Sequence, residues 1–278
     1  MIPFKFAAFA VHINIPIIYK IKENTMEKLK KFKEWLINIK GYSPKTIEVY
    51  CKYAHFLIEN DENYFITMEK YKHTTNNSKR IILSSFKKYY EFTDDKRREE
   101  IELPKKEKRV QDYVTYDEYI KIIDFIKNHK SSNMSLAIIR LLFETGIRSA
   151  ELLNIKTSDI YKNRIRIYGK NRLERFIYVC DSLEKILNQL VKKRNKENVD
   201  KVFPITYKAL YKRVRNLSKK VNKKLSPHMF RRGFATHCIG KNIGIYQISL
   251  MMGHENINTT KNYIKCSYSE EMMSSIFK

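Results

Sequence analysis

Along most of the chain, apolar residues recur at the three-and-four spacing of helices packed on one side. In MEKLKKFKEWLINIKG, which starts at Met26, Leu29, Phe32, Trp35 and Leu36 share one stripe, and Gly41 ends it. Ser43 and Pro44 supply the cap and first residue of a second helix, SPKTIEVYCKYAHFLIEN, with Ile47, Tyr50, Ala54 and Leu57 on its apolar face. A third, SKRIILSSFKKYYEF, carries basic residues beside aromatic ones. Tyr50, Tyr53, Phe86 and Tyr89 are expected in the core of this part, and basic residues on its outside. It reads as a small all-helical unit.

The pattern lapses over 94–112, DDKRREEIELPKKEKRVQD, which is charged, proline-marked and without apolar period. It predicts a linker. Thr115 and Glu118 then set up a capping box before YDEYIKIIDFIK. SLAIIRLLFETG is apolar on nearly every side, so it is expected to be buried. In NRIRIYGKNRLERFIYV two short runs of Ile, Tyr, Phe and Val flank GKNRLE, which predicts a β-hairpin. Asp181 and Glu184 are expected to cap the next helix. Basic TYKALYKRVRNLSKKVNKK comes next, then SPHMFRRGFATH, IGIYQISLMMGH and TTKNYIKC. The reading gives an N-terminal extension at 1–25, a helical domain at 26–100, a basic linker at 101–112, and a mainly helical domain with a small antiparallel sheet at 113–278.

Charge changes the picture most. Among 278 residues, 55 Lys and Arg face 30 Asp and Glu, for a net charge of +25 at pH 7. The excess is spread along the chain rather than held in a tail, which points to a polyanion partner and first to nucleic acid. A hydrophobic content of 43% excludes a wholly disordered chain. The opening MIPFKFAAFAVHINIPIIYK is interrupted by His12, Asn14 and Pro16. Its apolar run is shorter than the roughly 20 residues that span a bilayer, and it lacks a cleavage site. Residues 1–25 are therefore expected to be dispensable, with Met26 a second start, and the protein to be cytoplasmic with no membrane partner. Cys51, Cys180, Cys238 and Cys266 form no C-x-x-C pair, which fits free thiols better than disulfides or zinc ligands.

Candidate chemistry begins at SPHMFRRGFATH. Ser226 and Pro227 suit a helix start, and His228 and Arg231 then lie one turn apart on one face, near amides that favour an anion. An H-x-x-R pair is common by chance, so it gains meaning only from its company. In order along the second region stand Arg148 in TGIRSAELL, Lys170 in YGKNRLER, His228 and Arg231 in PHMFRR, His254 in MMGHEN and Tyr263 in TTKNYIK. In this order and setting they resemble the tyrosine recombinases, or phage integrase family, and most closely its Xer-like members of bacteria and archaea. The resemblance covers nearly everything from Met26 onward and is specific in the second region. It implies a mainly α fold: an N-terminal helical core-binding (SAM-like) domain, then a mainly helical tyrosine-recombinase catalytic domain with a small antiparallel β-sheet. The Lys-, Ile- and Asn-rich composition fits an AT-rich genome, with an archaeal source expected.

The resemblance also implies a reaction. The family cleaves a DNA strand by attack of a tyrosine oxygen on a phosphodiester, forming a 3′-phosphotyrosyl ester and releasing a 5′-hydroxyl, and then reverses the step with a new 5′-hydroxyl. The ester keeps the bond energy, so neither ATP, metal nor other cofactor is expected, and the sequence has no glycine-rich P-loop. Carried onto this chain, Tyr263 is the nucleophile, Arg148 and Arg231 clamp phosphate oxygens, His228 and His254 contact the same phosphate, and Lys170 protonates the leaving oxygen. Glu151, one turn after Arg148, is placed to hold that guanidinium, or else is an ordinary helix-start carboxylate. Lys162, Arg164, Arg166, Arg172 and Arg175 share the hairpin and read as a solvated basic edge, while the G-K context selects Lys170. Helix geometry leaves both Arg231 and Arg232 able to face a phosphate; the family pattern selects Arg231. His237 is read as structural. Two-metal chemistry needs clustered carboxylates, and Glu144, Glu151 and Asp159 stand apart among arginines.

The expected protein is a site-specific recombinase on double-stranded DNA: a homotetramer on synapsed sites, a monomer or dimer off them, in integration or in chromosome-dimer or plasmid resolution. Alternatives are a type IB topoisomerase and a DNA-binding protein that keeps the fold without the activity. Beyond Tyr263, Met272, Met273, Ile276 and Phe277 give the tail one apolar edge, and the resemblance implies docking on a neighbouring subunit.

Overall fold

A computed structural model describes residues 15–107, 112–129, 132–169 and 174–253. Lys170, His254, Tyr263 and the apolar tail lie outside the described residues. The chain divides into two units, Met1–Arg109 and Val110–Lys278. Among the described residues no helix is long and apolar enough to cross a membrane.

In the first unit, α1 (Ile15–Asn38), α2 (Pro44–Ile58) and α4 (Asn76–Phe92) are joined by the short α3 (Tyr64–Glu69). α1 starts eleven residues before the expected Met26, with Thr25 buried inside it. Pro16 falls in its first turn, where a missing amide costs no helical hydrogen bond, so the proline that reads as an interruption is tolerated there. α2 starts as the sequence predicts, with the Ser43 hydroxyl accepting from the Thr46 amide and Pro44 following it. Phe32 and Leu36 of α1, Ala54 and Leu57 of α2, and Ile82, Phe86, Tyr89 and Tyr90 of α4 close the core. Tyr50 and Tyr53 pack only partly buried against it. Tyr89 donates its hydroxyl to Glu62 Oε1 at 2.9 Å, which satisfies the polar end of an otherwise buried ring.

The expected linker is not wholly a linker. α5 (Arg97–Glu100) lies inside it, Ile101 is buried in the first unit's core, and 101–107 runs along α4. Arg80 of α4 donates to Pro104 O at 2.6 Å, Lys87 to Ile101 O at 3.1 Å and Asn77 to Glu107 O at 3.2 Å. A strap held by side chains reaching its carbonyls needs no apolar period, which is why the sequence pattern passes over it.

The second unit opens with α6 (Tyr116–Asn128), and its Thr115–Glu118 capping box is formed. α7 (Asn133–Glu144) buries Ala137, Ile138, Ile139, Leu141, Leu142 and Phe143, as expected of a helix apolar on nearly every side. After α8 (Ser149–Leu153) the chain forms an antiparallel sheet of β1 (Ile160–Tyr161), β2 (Arg164–Tyr168) and β3 (Glu174–Tyr178), in that order. β2 and β3 are the expected hairpin arms, with Arg166 opposite Phe176 and Ile165 opposite Ile177. Ile165, Ile167 and Ile177 face the core. Arg164 and Arg166 lie instead over the rings of Tyr161, Phe176 and Tyr168.

α9 (Asp181–Lys196) corrects a second expectation. Its N-cap is Cys180, so Asp181 is already helical and the Glu184 amide bonds Cys180 O rather than an Asp181 carboxylate. Asp181 Oδ1 instead accepts from Asn163 Nδ2. Both carboxylates still favour the positive end of the helix. α10 (Tyr207–Asn216), α11 (Pro227–Gly240) and α12 (Ile245–Met252) complete the unit.

α11 is fixed from two sides. Phe234, Ala235, Cys238 and Ile239 pack on Ile248 and Met252 of α12, while Met229 and Phe230 enter the main core. The segment before α6 runs beside it, with the Val114 amide donating to Met229 O at 3.1 Å. Gly233 makes this approach possible: a methyl there would overlap the Val114 carbonyl oxygen and lie 2.8 Å from Phe143 Cε2. Because backbone cannot yield as a flexible side chain can, Gly233→Ala is expected to destabilise the protein by about 1–3 kcal/mol. Urea unfolding followed by circular dichroism measures it, and an unchanged midpoint would show that the two segments separate freely.

Candidate active site

The helix start that carries His228 and Arg231 sends them in different directions. α11 begins with Ser226 as N-cap and Pro227 as first residue, although the Ser226 side chain makes no capping bond. Arg231, on the next turn, is 2% exposed. Its guanidinium donates to Gly146 O and, at 2.9 Å, to Met252 O. Met252 is the last residue of α12 and Gly253 its left-handed cap, so the Met252 carbonyl belongs to a helix end that lacks amide partners. A cation at this end is also favoured by the helix dipole. Arg232, the other candidate, turns away and donates to Asp112 O at 3.0 Å.

Arg148 meets the same helix end. It precedes α8, and its Nη2 donates to Gly253 O at 2.7 Å. Its Nη1 donates to Glu151 Oε1 at 2.8 Å and its own amide to Glu151 Oε2 at 2.9 Å. Glu151 therefore satisfies the helix start and orients the guanidinium together, so its two expected roles coexist. Arg148 and Arg231 are joined through adjacent carbonyls of 252 and 253, directly before His254 in the chain. Both Gly146 and Met252 are neutral acceptors, so they orient Arg231 without cancelling its charge.

One arginine of this group departs from the solvated edge that the sequence suggests for it. Arg175 on β3 points inward, and donates to Glu151 Oε1 at 3.0 Å and Oε2 at 2.8 Å. No local spacing links a strand residue to a carboxylate on α8; only the sheet brings them together. Burial pushes the Glu151 carboxyl up, but Arg175, then the Arg148 amide and guanidinium, bring it below the usual carboxylate range.

His228 completes the described group. Its side chain is solvent-exposed, yet its pKa is pushed down to about 4, by desolvation in crowded surroundings and by Arg232, Arg231 and Arg148. Exposure weakens the first cause, so the direction rests most firmly on the three guanidiniums. His237 lies elsewhere, stacked on Tyr116 at 4.7 Å. The three carboxylates considered as metal ligands do not converge: Glu144 pairs with Arg140, Glu151 with Arg148 and Arg175, and Asp159 with Arg166. A cavity of about 360 Å³ lined by Tyr113, Tyr116, Gly233, His237 and Lys241, among others, shares no residue with the arginine group.

The shifts have a consequence in acid. His228 folds with a pKa below its unfolded 6.5, so between about pH 6.5 and pH 4 the unfolded chain binds the extra proton and stability falls with pH. Glu151, also lowered, adds a further loss below its ordinary value of 4.5 as its folded pKa is approached. Replacing His228 by Gln should flatten the fall between about pH 6.5 and 4.5 and leave the lower part in place. Urea midpoints measured across that range for both proteins check it; parallel curves would show that His228 titrates normally.

The chain is similar to known proteins in sequence and in fold. The phage integrase family profile matches residues 112–270, more than half the chain. Tyrosine recombinase XerA of Saccharolobus solfataricus is 35% identical over 152 residues, 52% of this chain and 52% of that protein. In that pairing the chain spans about half the length of the curated relative it matches. Tyrosine recombinase XerA of Thermococcus onnurineus is 26% identical over 254 residues, covering 84% of this chain and 88% of the relative. Among solved structures, the XerH site-specific recombinase bound to difH substrate, a pre-cleavage complex, superposes with a TM-score of 0.67 at 19% identity, covering 83% of this chain and 78% of that one. That likeness is one of fold. With the family profile running from the segment before α6 to beyond α12, across Arg148, Arg231 and the helix end they share, the chain belongs to the phage integrase family of tyrosine recombinases.

Proposed function

We propose that the protein is a site-specific DNA recombinase that cuts and rejoins strands through a 3′-phosphotyrosyl intermediate. The observation that carries this reading is the convergence of Arg148 and Arg231 on the carbonyls of Gly253 and Met252, with His228 one turn from Arg231. The two arginines are oriented by backbone and by one carboxylate, and together with Arg175 outnumber that carboxylate. Such a site stabilises the charge of a pentacovalent phosphate without a metal.

In the reaction, the Tyr263 oxygen attacks the phosphorus and the bond from phosphorus to the 5′-oxygen breaks. Arg148 and Arg231 take the non-bridging oxygens, with His254 donating to one of them. His228, kept neutral by its cationic neighbours, accepts the tyrosine proton; Lys170 gives a proton to the leaving 5′-oxygen. A free 5′-hydroxyl from another strand reverses the step. Exchange between two duplexes requires four such cuts, so the active species is a homotetramer on synapsed double-stranded DNA, built from monomers or dimers. The +25 charge suits the phosphate contacts, so affinity falls steeply with salt. On the same reading the first unit, which takes in α1 and the strap at 101–107, is the core-binding helical domain, and the second unit is the catalytic one.

Incubation with a nicked suicide substrate from the protein's genomic neighbourhood tests the proposal. A covalent adduct mapped to Tyr263 is expected, at defined sites and in excess EDTA. Indiscriminate relaxation of plasmids would instead identify a topoisomerase. Tyr263→Phe is expected to abolish the adduct while DNA affinity stays within about twofold, because phosphate contacts dominate binding. An adduct that survives SDS in this variant would reject the nucleophile.

Lys170→Ala is expected to slow cleavage of ordinary DNA by about 10²-fold or more, the range of general acid catalysis. A 5′-bridging sulfur leaves without a proton and should restore most of the rate. No selective rescue would move the acid elsewhere on the hairpin.

A further inference from the structure

We infer that Arg175 is a positioning residue of the reaction, locking the Glu151 carboxylate that orients Arg148 and seating the turn that leads to His254. The inference rests on the recombinase reading for its kinetic consequence, but its structural half stands independently.

The first observation is the sharing of one carboxylate. Each Glu151 oxygen accepts from Arg175, Oε1 at 3.0 Å and Oε2 at 2.8 Å, and each also accepts from Arg148, through Nη1 and the backbone amide. Glu151 is thereby held by a fork from β3 as well as by its own helix start. Without that fork the carboxylate keeps only local partners on α8, and it can rotate with the Arg148 side chain.

Charge supplies the second argument. Paired with Arg148 alone, Glu151 cancels the charge meant for phosphate. With Arg175 added, the buried carboxylate faces two guanidiniums and the group keeps one net positive charge. Glu151 is 6% exposed in its side chain and Arg175 17%, so this balance is poorly screened by water.

The third is packing. Gly253 has φ +63°, and a Cβ there would come within 2.7 Å of Arg175 Cζ and Nη1. The flat guanidinium therefore lies against the glycine whose carbonyl binds Arg148. Arg175 also leaves its buried Nε without a hydrogen-bond partner among the described residues. Such a cost shows that the fork and the glycine contact set its orientation.

The test compares wild type with Arg175→Ala and Arg175→Lys by three measurements. In single-turnover attachment to the nicked substrate, Arg175→Ala is expected to be about 10²-fold slower, as for a catalytic group displaced by about 1 Å. Gel-shift affinity for the same DNA should stay within about twofold. In the DNA-free protein, the Glu151 carboxyl carbon, followed by NMR, should titrate at higher pH in Arg175→Ala than in wild type. Arg175→Lys, which keeps the charge but cannot span both oxygens, should recover the rate only in part. An unchanged attachment rate in a folded Arg175→Ala protein overturns the positioning role, and so does an unchanged Glu151 titration. If the wild type forms no adduct at any site, the recombinase reading falls, while the Glu151 titration still decides whether Arg175 holds that carboxylate.

Discussion

Several guanidiniums can be packed together only if oxygens meet their N–H groups, and this requirement organises the second unit. Arg231 is almost wholly buried and ends on the carbonyls of Gly146 and Met252. Arg148 ends on Gly253 O and Glu151, and Arg175 on Glu151. The C-terminus of α12 provides two of these carbonyls, which its own helix leaves without amide partners. Each side solves the other's problem: the helix end is capped, and the arginines are oriented. The carbonyls of Gly146 and Met252 orient Arg231 without themselves bringing a negative charge to it. Glu151 is the exception, and it is shared between two arginines.

The same arrangement explains what the histidine can do. His228 sits on the exposed side of α11 while Arg231, one turn on, lies inside. Desolvation and the neighbouring guanidiniums of Arg232, Arg231 and Arg148 hold its pKa down, so the imidazole stays neutral. On the proposed reading, an incoming phosphate offsets the charge of those guanidiniums and raises the proton affinity of His228 where the Tyr263 phenol loses its proton. On that reading, binding and proton transfer are linked through charge.

Much of the fold is legible in the sequence because it is written in short-range chemistry. Ser43-Pro44, the Thr115–Glu118 box, the apolar α7 and the alternating arms of the hairpin each depend on residues within a few positions of one another. Arg148, Glu151, His228 and Arg231 are likewise legible, through order and local setting. What escapes depends on distant partners. Arg175 looks like one more basic residue on a crowded hairpin, since its carboxylate lies 24 residues away on another element. The strap at 101–107 looks like linker because polar side chains of α4 hold it by its carbonyls. At α9 the capping role expected of Asp181 falls to the preceding residue, Cys180, a one-residue slip of the kind common at helix ends. α1 begins before the expected start because Pro16, which reads as an interruption, falls in the first turn, where a missing amide costs no helical hydrogen bond.

An H-x-x-R pair on a helix is by itself an unremarkable surface feature. On α11 it becomes a site because that helix cannot be a surface helix. Gly233 lets the backbone at Val114 pass where a side chain would stand, and Phe234, Cys238 and Ile239 are covered by α12. With both flanks occupied, Arg231 has no route to solvent and must find oxygens inside, which the loop at Gly146 and the end of α12 supply. Those are the segments that carry Arg148 and lead to His254. The packing that buries α11 therefore does more than stabilise the unit. It forces one arginine to tie together the loop before α8 and the end of α12, so the geometry proposed to bind phosphate is a consequence of how the core closes.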